Sequence, residues 1–150
     1  MRAVIQRVTE CSVTIDGNVI SRIGKGLLIL VGIEDSDRED DIGWLASKIV
    51  NMRIFNDENG VMNLSVTDIR GELLIVSQFT LMAQTRKGNR PAYSKASKGD
   101  FAKPMHELFC DTIERKCGIR VKKGVFGADM KVELINDGPV TIIIDTKNRE

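Results

Sequence analysis

The sequence predicts one α+β domain spanning residues 1–150, with a β-rich core and two main helices. The strands are indicated by two short, uninterrupted apolar runs at 27–33 and 73–76. Such runs are typical of strands that are buried on both faces. The helices are indicated by apolar residues that recur at helical spacing over 42–50 and again over 101–113.

The N-terminal segment predicts two half-buried strands joined by a tight turn. Apolar residues alternate with polar ones around Ala3 and Ile5, and the alternation resumes at Val13. The dipeptide Asp16-Gly17 is a typical two-residue hairpin turn. We therefore expect a hairpin here, followed by the first of the buried strands.

Three further strands are predicted after the first helix. The first covers 72–81 and contains the apolar run at 73–76. Two more lie around 131–135 and 140–145, and the turn-forming residues 136–139 separate them. We expect these last two strands to be joined by a turn.

The helix ends are marked by their own signals. Ser36 and Glu39 have the spacing of a capping box, which predicts the start of the first helix. Gly118 predicts the end of the second helix, and Pro104 leaves the position of its first turn open. The polar, basic segment 84–99 predicts a long surface loop, and such loops are usually functional or disordered.

Composition excludes several classes of protein. The formal net charge of +1 excludes a strongly basic or acidic protein, although a local basic face remains compatible with it. No apolar run approaches the ~20 residues of a transmembrane helix, and the charged N-terminal segment is not a signal peptide. Cys11, Cys110 and Cys117 include no CxxC pair, so we expect reduced thiols and an intracellular protein without a membrane partner.

Polar residues cluster at the end of the strand predicted for 72–81. Ser77, Gln78 and Thr80 surround Phe79 directly after the apolar run. Either the hydroxyls satisfy a turn, or the segment is a binding site that offers backbone N–H groups. Because neither hydroxyl has a base nearby in the sequence, such a site would act by positioning and by backbone donors.

The dipeptide Gly138-Pro139 also allows two interpretations. It is an ordinary turn sequence, but an X-Pro bond is the one place where a cis peptide is inexpensive, at ~0.5–1 kcal/mol against ~3 kcal/mol elsewhere. A cis unit without a side chain on Gly138 would present two carbonyls in a fixed direction. That arrangement is suited to holding a substrate ammonium group.

The histidine and two of the cysteines form a third candidate. His106 and Cys110 are four residues apart on the second helix, and Cys117 follows on the same flank. They could pair a thiol with an imidazole or begin a metal site, or they could simply be the buried edge of an amphipathic helix. Three such ligands do not complete a tetrahedral site, and no HExxH motif is present. No metal is therefore predicted.

Basic residues in and beyond the loop form either a phosphate-binding face or an ordinary solvated surface. They are Arg86, Lys87, Arg90, Lys95, Lys98, Lys103, Lys122 and Lys123.

Six segments, taken in order, resemble the D-aminoacyl-tRNA deacylase family. They are 1–8, 24–28, 77–81, 88–91, 126–130 and 136–141. The resemblance implies the fold of that family, a barrel-like β core with two main helices, and one deacylase domain over residues 1–150. It also implies a cytoplasmic homodimer that hydrolyses the ester of a D-amino acid, or glycine, with the terminal adenosine of tRNA. This is a proofreading step of translation, and it needs no cofactor.

The resemblance assigns roles to individual residues. Ser77, Gln78, Phe79 and Thr80 are implied to be catalytic, with Ser77 and the Phe79 N–H near the scissile carbonyl. In this arrangement a cis Gly-Pro unit of the partner subunit holds the α-amino group, and the L side chain is sterically excluded. The residues implied to bind substrate are Gly138, Pro139, Val140, Thr141, Arg7 and Met130, with Arg7 supporting the Gly-Pro unit.

Three alternatives stay open at this point. Thr80 could be a nucleophile, although backbone donors and the 2′-hydroxyl of the tRNA fit better. The chain could be a non-enzymatic, β-rich dimer that binds RNA through the segment 84–99. It could also be a hydrolase that uses Cys110 and His106 in a shared pocket. Tyr93, where the family often carries Phe, leaves the catalytic assignment unchanged.

Overall fold

The computed structural model describes residues 1–150 and consists of one main sheet, two helices and a small second sheet. The main strands are β1 (Arg2–Ile15), β2 (Asn18–Ile23), β3 (Gly26–Gly32), β6 (Glu72–Ser77), β7 (Val121–Lys123) and β8 (Lys131–Asp145). The small sheet pairs β4 (Phe55–Asn56) with β5 (Met62–Leu64). The helices are α1 (Glu39–Asn51) and α2 (Gly99–Cys117), and a 3-10 turn covers Phe79–Met82.

The main sheet is mixed and nearly closes into a barrel. β1 runs antiparallel to β3, β2 and β8, whereas β3, β6 and β7 are parallel neighbours. The Ser21 hydroxyl donates a hydrogen bond of 2.6 Å to the Lys123 carbonyl, which joins β2 to β7. The predicted class, α+β with a barrel-like β core and two helices, is therefore confirmed.

The uninterrupted apolar runs arise because β3 and β6 contribute to two hydrophobic clusters. Leu27 and Ile29 point into the larger cluster, beneath the two helices, while Leu28 lies in the smaller cluster inside the sheet. In β6, Ile75 likewise lies in the larger cluster and Leu74 in the smaller one. A strand buried on both faces has no polar alternation to show.

Both helices pack on the larger cluster through the residues that their periodicity singles out, including Leu45 and Ile49 of α1 and Phe109 of α2. α1 begins at Glu39, three residues after the predicted cap. The Ser36 hydroxyl bonds to Glu34, and Asp41 caps the helix instead by accepting the Arg38 N–H at 2.9 Å.

The α2 helix begins at Gly99, contains Pro104, and ends where Gly118 adopts a positive φ of 68°. The predicted end is therefore confirmed. Neither α1 nor α2 is long and apolar enough to cross a membrane.

The strand predicted for 72–81 is too long. β6 ends at Ser77, the last hydrogen bond to β3 runs from Gln78 N to Val31 O at 2.8 Å, and the chain then coils into the 3-10 turn. The adjacent strand β7 pairs only as far as Ile75. Beyond Ser77 the chain has no second neighbour to hold it extended, so it leaves the sheet.

The prediction that residues 136–139 form a turn between two strands is wrong. β8 is one long strand, and both halves of it pair with β1, with register shifts around Val8. The segment that contains Gly138-Pro139 is thus an interruption within a strand rather than a link between two strands. Proline has no N–H to give to the ladder, which accounts for the break. The Gly138-Pro139 peptide bond is cis.

Candidate active site

A cavity of about 310 Å³ opens at the carboxyl ends of the parallel strands β3 and β6. Its walls come from the end of β3, from residues 77–79, from Ala102 of α2 and from the loop 126–130. Ligands commonly bind in the crevice at the carboxyl ends of parallel strands. The structure therefore brings Ser77, Gln78 and Phe79 together with Met130 in one cavity.

The backbone at this strand end offers hydrogen-bond donors. Ser77 is the last residue of β6, and Phe79 and Thr80 are the first residues of the 3-10 turn. The first N–H groups of a helical turn have no partner within that turn. Such donors, together with a hydroxyl, can stabilise the negative oxygen of a tetrahedral intermediate.

The Thr80 hydroxyl is placed for support rather than attack. It accepts a hydrogen bond of 2.6 Å from the Gln78 side-chain amide. The carboxylate that lines the cavity, Asp129, is 85% exposed and bound to Lys131 at 3.0 Å. No base contacts Thr80, so its hydroxyl stays a weak nucleophile.

An exposed aromatic pair stands at the mouth of the cavity. Phe79 lines the cavity and is 57% exposed, and its ring meets Tyr93 edge-to-face with centroids 5.2 Å apart. Tyr93 reaches this place because the predicted surface loop folds back, with paired backbone hydrogen bonds of 2.8 and 3.0 Å between Gln84 and Ala92. Five exposed cations of the loop thus lie on the same segment as Tyr93. They are Arg86, Lys87, Arg90, Lys95 and Lys98.

Arg7 braces the interruption in β8. Its side chain is buried, and Nε lies 3.2 Å from the Asp137 carbonyl and 3.1 Å from the Asp137 carboxylate. Its Nη1 donates to the Ile54 carbonyl at 2.6 Å. From the other side, the Asn136 amide donates to the Arg7 carbonyl at 2.9 Å and to the Val140 carbonyl at 3.0 Å.

Only glycine fits at position 138 in this brace. Its φ is 122°, and an added Cβ would lie 2.8 Å from Val140 Cγ2 and 3.0 Å from Arg7 Nη2. Gly138, Pro139 and Thr141 are exposed, and none of the residues 136–141 lines the cavity of the same chain. The predicted site residues therefore lie in two separate regions of one chain.

The thiol and imidazole pair lies in the core behind the site. His106 and Cys110 are both buried, with Nδ1 3.9 Å from Sγ, while Cys117 donates to the Ile113 carbonyl. Burial raises the pKa of Cys110 to about 12 and lowers the pKa of His106. Neither residue of the pair lines the cavity at the end of β6, and no three His, Cys, Asp or Glu side chains are grouped to hold a metal ion.

The family profile for D-Tyr-tRNA(Tyr) deacylase matches residues 4–145. The chain belongs to this family. D-aminoacyl-tRNA deacylases of Flavobacterium psychrophilum and Porphyromonas gingivalis are 63% and 65% identical to it over 150 residues, which is the full length of both proteins in each pair. Membership of the deacylase family confirms the recognition from the six segments and the prediction that the protein is an enzyme.

Two solved structures share the fold of this deacylase-family chain. One, described as a c-Myc DNA unwinding element binding protein, superposes with a TM-score of 0.92 at 41% identity and covers 97% of this chain and 98% of its own. The other, described as a probable eukaryotic D-amino acid tRNA deacylase, has a TM-score of 0.82 at 16% identity, with 95% and 97% coverage. The second likeness is one of fold alone.

Sequence reasoning missed part of the cavity wall in this deacylase-family protein. Phe126 and Ala102 line the cavity, but neither was given a role. A signal is present in the sequence, because Phe126 is the first residue of the segment 126–130, one of the six that resemble the family. In the structure Gly124 gives Met130 its room beside the backbone, since an added Cβ would lie 2.6 Å from Met130 Sδ.

Proposed function

We propose that this protein hydrolyses the ester bond of D-aminoacyl-tRNA and of Gly-tRNA, and releases the free amino acid and tRNA. It thereby proofreads the chirality of amino acids for translation in the cytoplasm, through one domain over residues 1–150. The observation that carries the proposal is the cavity at the end of β6, which combines Ser77 with the N–H groups of the 3-10 turn. This cavity belongs to a chain that is 63–65% identical to full-length deacylases.

The chemistry rests on positioned donors and on the substrate itself. The ester carbonyl lies against the Ser77 hydroxyl and the Phe79 N–H, which stabilise the oxyanion after water adds to the carbonyl carbon. The carbonyl then re-forms as the bond to the ribose 3′-oxygen breaks, and that oxygen takes up the proton that the attacking water loses. The neighbouring 2′-hydroxyl of the ribose orients the water, so no side-chain base is required. Gln78 holds Thr80 in place through their hydrogen bond of 2.6 Å.

Chirality is selected at the α-amino group. The carbonyls of Gly138 and Pro139 accept hydrogen bonds from the substrate ammonium, with Val140 and Thr141 beside them. In this pose a D side chain points outward and an L side chain meets the backbone. Glycine has no side chain to exclude, so the ester of Gly-tRNA is hydrolysed as well. Support comes from the exposure of this segment and from its brace by Arg7.

The active site is shared between two copies of the chain. Residues 136–141 do not reach the cavity of their own chain, so they serve the cavity of the partner subunit. Support for a homodimer comes from β8, which pairs with β1 on one side only and leaves Ile135 and Ile143 55% and 68% exposed. An open edge strand with exposed apolar residues is a typical pairing surface. A two-fold axis would create two equivalent sites.

The tRNA end enters past the aromatic pair. Phe79 and Tyr93 offer exposed rings on which the terminal adenine can stack, and the cations of the segment 84–99 can meet the phosphates. Met130 lies inside the cavity, close to where the ester is held.

A second candidate is nucleic-acid binding without hydrolysis. It is favoured by the description of the 41% identical solved structure as a DNA element binding protein and by the basic loop of this chain. Such a protein would bind tRNA or DNA duplex with similar affinity and would leave the ester intact.

One assay separates the candidates. Purified protein is incubated separately with D-Tyr-tRNA, L-Tyr-tRNA and Gly-tRNA, and ester loss is followed. We expect rapid loss from the D and glycyl substrates and little from the L substrate. Equal loss from both enantiomers, or loss from neither, would refute the proposal.

A further inference from the structure

His106 is the only histidine of the chain, and it is buried beside the proposed site. It is 2% exposed, and Nε2 has no hydrogen-bond partner. The other ring nitrogen, Nδ1, lies 3.9 Å from Cys110 Sγ. Buried polar atoms are almost always satisfied, so an unpaired imidazole nitrogen requires a physical explanation.

The imidazole packs against the wall of the cavity. The ring of Phe126 meets it at 62° with centroids 6.0 Å apart, and Phe126 lines the cavity. Ala102, one helical turn before His106 on α2, lines the same cavity. His106 therefore lies directly behind the surface that the substrate contacts.

We propose that His106 is a positioning residue: its neutral ring holds the Phe126 wall in the shape that binds the aminoacylated end of tRNA, and protonation of the ring releases that wall. This proposal rests on the proposed deacylase function. The expected consequence is a loss of substrate affinity on acidification, while the catalytic donors at 77–80 are unchanged.

The charges around the ring determine the direction of the effect. Burial lowers the pKa of His106, the Glu107 carboxylate of the same helix opposes this, and Lys123 of β7 adds to it. Glu107 and Lys123 are themselves paired at 2.7 Å, and burial keeps the Cys110 thiol protonated. The ring is thus neutral at pH 7. A form with a released wall takes up a proton at higher pH than the packed form, so acidification favours release.

Thermodynamic linkage provides a direct test. If the ligand binds the protonated form more weakly than the packed, neutral form, ligand binding must raise the acid dissociation constant of His106 by the same factor and so lower its pKa. The probe is adenosine that carries D-tyrosine through a 3′-amide, which cannot be hydrolysed as an ester. NMR titration of the single imidazole is recorded with and without the probe, alongside the Kd of the probe from pH 5 to pH 7.5.

We expect the pKa of His106 to fall by about one pH unit when the probe is bound, which corresponds to about tenfold weaker binding to the protonated form. The Kd should rise correspondingly toward pH 5. An unchanged pKa together with a pH-independent Kd would overturn the proposal.

Variants of His106 and of its two charged neighbours test whether the imidazole is the origin of the pH dependence. Glu107→Gln removes the charge that raises the pKa of His106 and should move the acidic loss of affinity to lower pH. Lys123→Met removes the opposing charge and should move the loss to higher pH. His106→Phe, which cannot titrate, should abolish the acidic loss of affinity. If the wild-type pH profile persisted in all three variants, His106 would not be its origin.

The two proposals fail separately in this design. Wild-type protein that leaves D-Tyr-tRNA intact at pH 7.5 would refute the deacylase function. Wild-type protein that hydrolyses it, but binds the probe equally well at all pH values, would refute only the role of His106.

Discussion

The two interruptions of the main sheet, at 77–82 and at 136–141, differ in what surrounds them. The first opens into a cavity of about 310 Å³, whose walls come from four parts of the chain. The second lies outside that cavity, and its backbone is fixed by hydrogen bonds from the Arg7 guanidinium and the Asn136 amide. The interruption at 77–82 therefore offers a cavity with hydrogen-bond donors in its wall. The interruption at 136–141 offers backbone carbonyls that are held rigidly on an exposed surface. The donors and the acceptors thus lie in different places on one chain, and this separation is what supports the proposal of a site shared between two subunits.

Removal of a donor at the first interruption should have the largest effect. We expect Ser77→Ala to lower kcat for D-Tyr-tRNA on the order of a hundredfold, because oxyanion donors contribute on that scale. Thr80→Ala should lower kcat by less than about tenfold, since its hydroxyl only accepts from Gln78. Single-turnover hydrolysis measures both variants. A folded Thr80→Ala protein as inactive as Ser77→Ala would instead make Thr80 the nucleophile.

Removal of the Arg7 side chain, which holds the second interruption in place, should have the second-largest effect. Arg7→Met leaves the Ile54 and Asp137 carbonyls without their donor, and the displaced backbone should reduce kcat/KM by about a hundredfold or somewhat less. It should also lower the free energy of unfolding by ~1–3 kcal/mol.

Lys147→Met is the matched control, since it deletes an ion pair with Asp41 just beyond the far end of β8. Its activity should be that of the wild type. Equal activity losses in Arg7→Met and Lys147→Met would show that the brace has no special role.

Truncation at the cavity mouth should have a moderate effect that is confined to binding. Phe79→Ala removes the ring that meets Tyr93, and stacking of one base contributes ~1–3 kcal/mol. We expect KM to rise by roughly tenfold with little change in kcat. A fall in kcat with an unchanged KM would place the ring at the reacting atoms instead.

Thiol alkylation and chelation should have the smallest effect. Burial raises the pKa of Cys11 to about 11 and that of Cys110 to about 12, so neither is a thiolate at pH 8. Activity should therefore survive iodoacetamide, and it should also survive EDTA, because no group of metal ligands is present. Loss of activity with the chelator and its recovery with Zn²⁺ would contradict this account.

The two interruptions also differ in how well the sequence predicts them. Residues 77–80 stand out because hydroxyls and an amide follow a fully apolar strand, and that contrast is local. The role of 136–141 within one long strand depends on pairing with β1, more than a hundred residues earlier. A local turn signal cannot distinguish a hairpin from a break in a strand that is held by a distant neighbour.

The same limit applies to the cavity wall and the loop. The periodicity of α2 places His106 on the buried face, but it does not reveal that Phe126 lies against the ring. The return of segment 84–99 to Phe79 depends on the single bridge between Gln84 and Ala92. Strands and helices can be predicted from local burial patterns, whereas these contacts join segments that the tertiary fold brings together.

Subunit complementation tests most directly whether two chains share one site. Ser77→Ala and Arg7→Met proteins, each nearly inactive alone, are unfolded together in equal amounts, refolded, and assayed on D-Tyr-tRNA. If each site takes its donors from one chain and its Gly138-Pro139 unit from the other, half of the dimers carry one intact site. The mixture should then recover about a quarter of the wild-type activity. Recovery of no activity, with mixed dimers demonstrated by mass spectrometry, would mean that each chain completes its own site and would contradict the account.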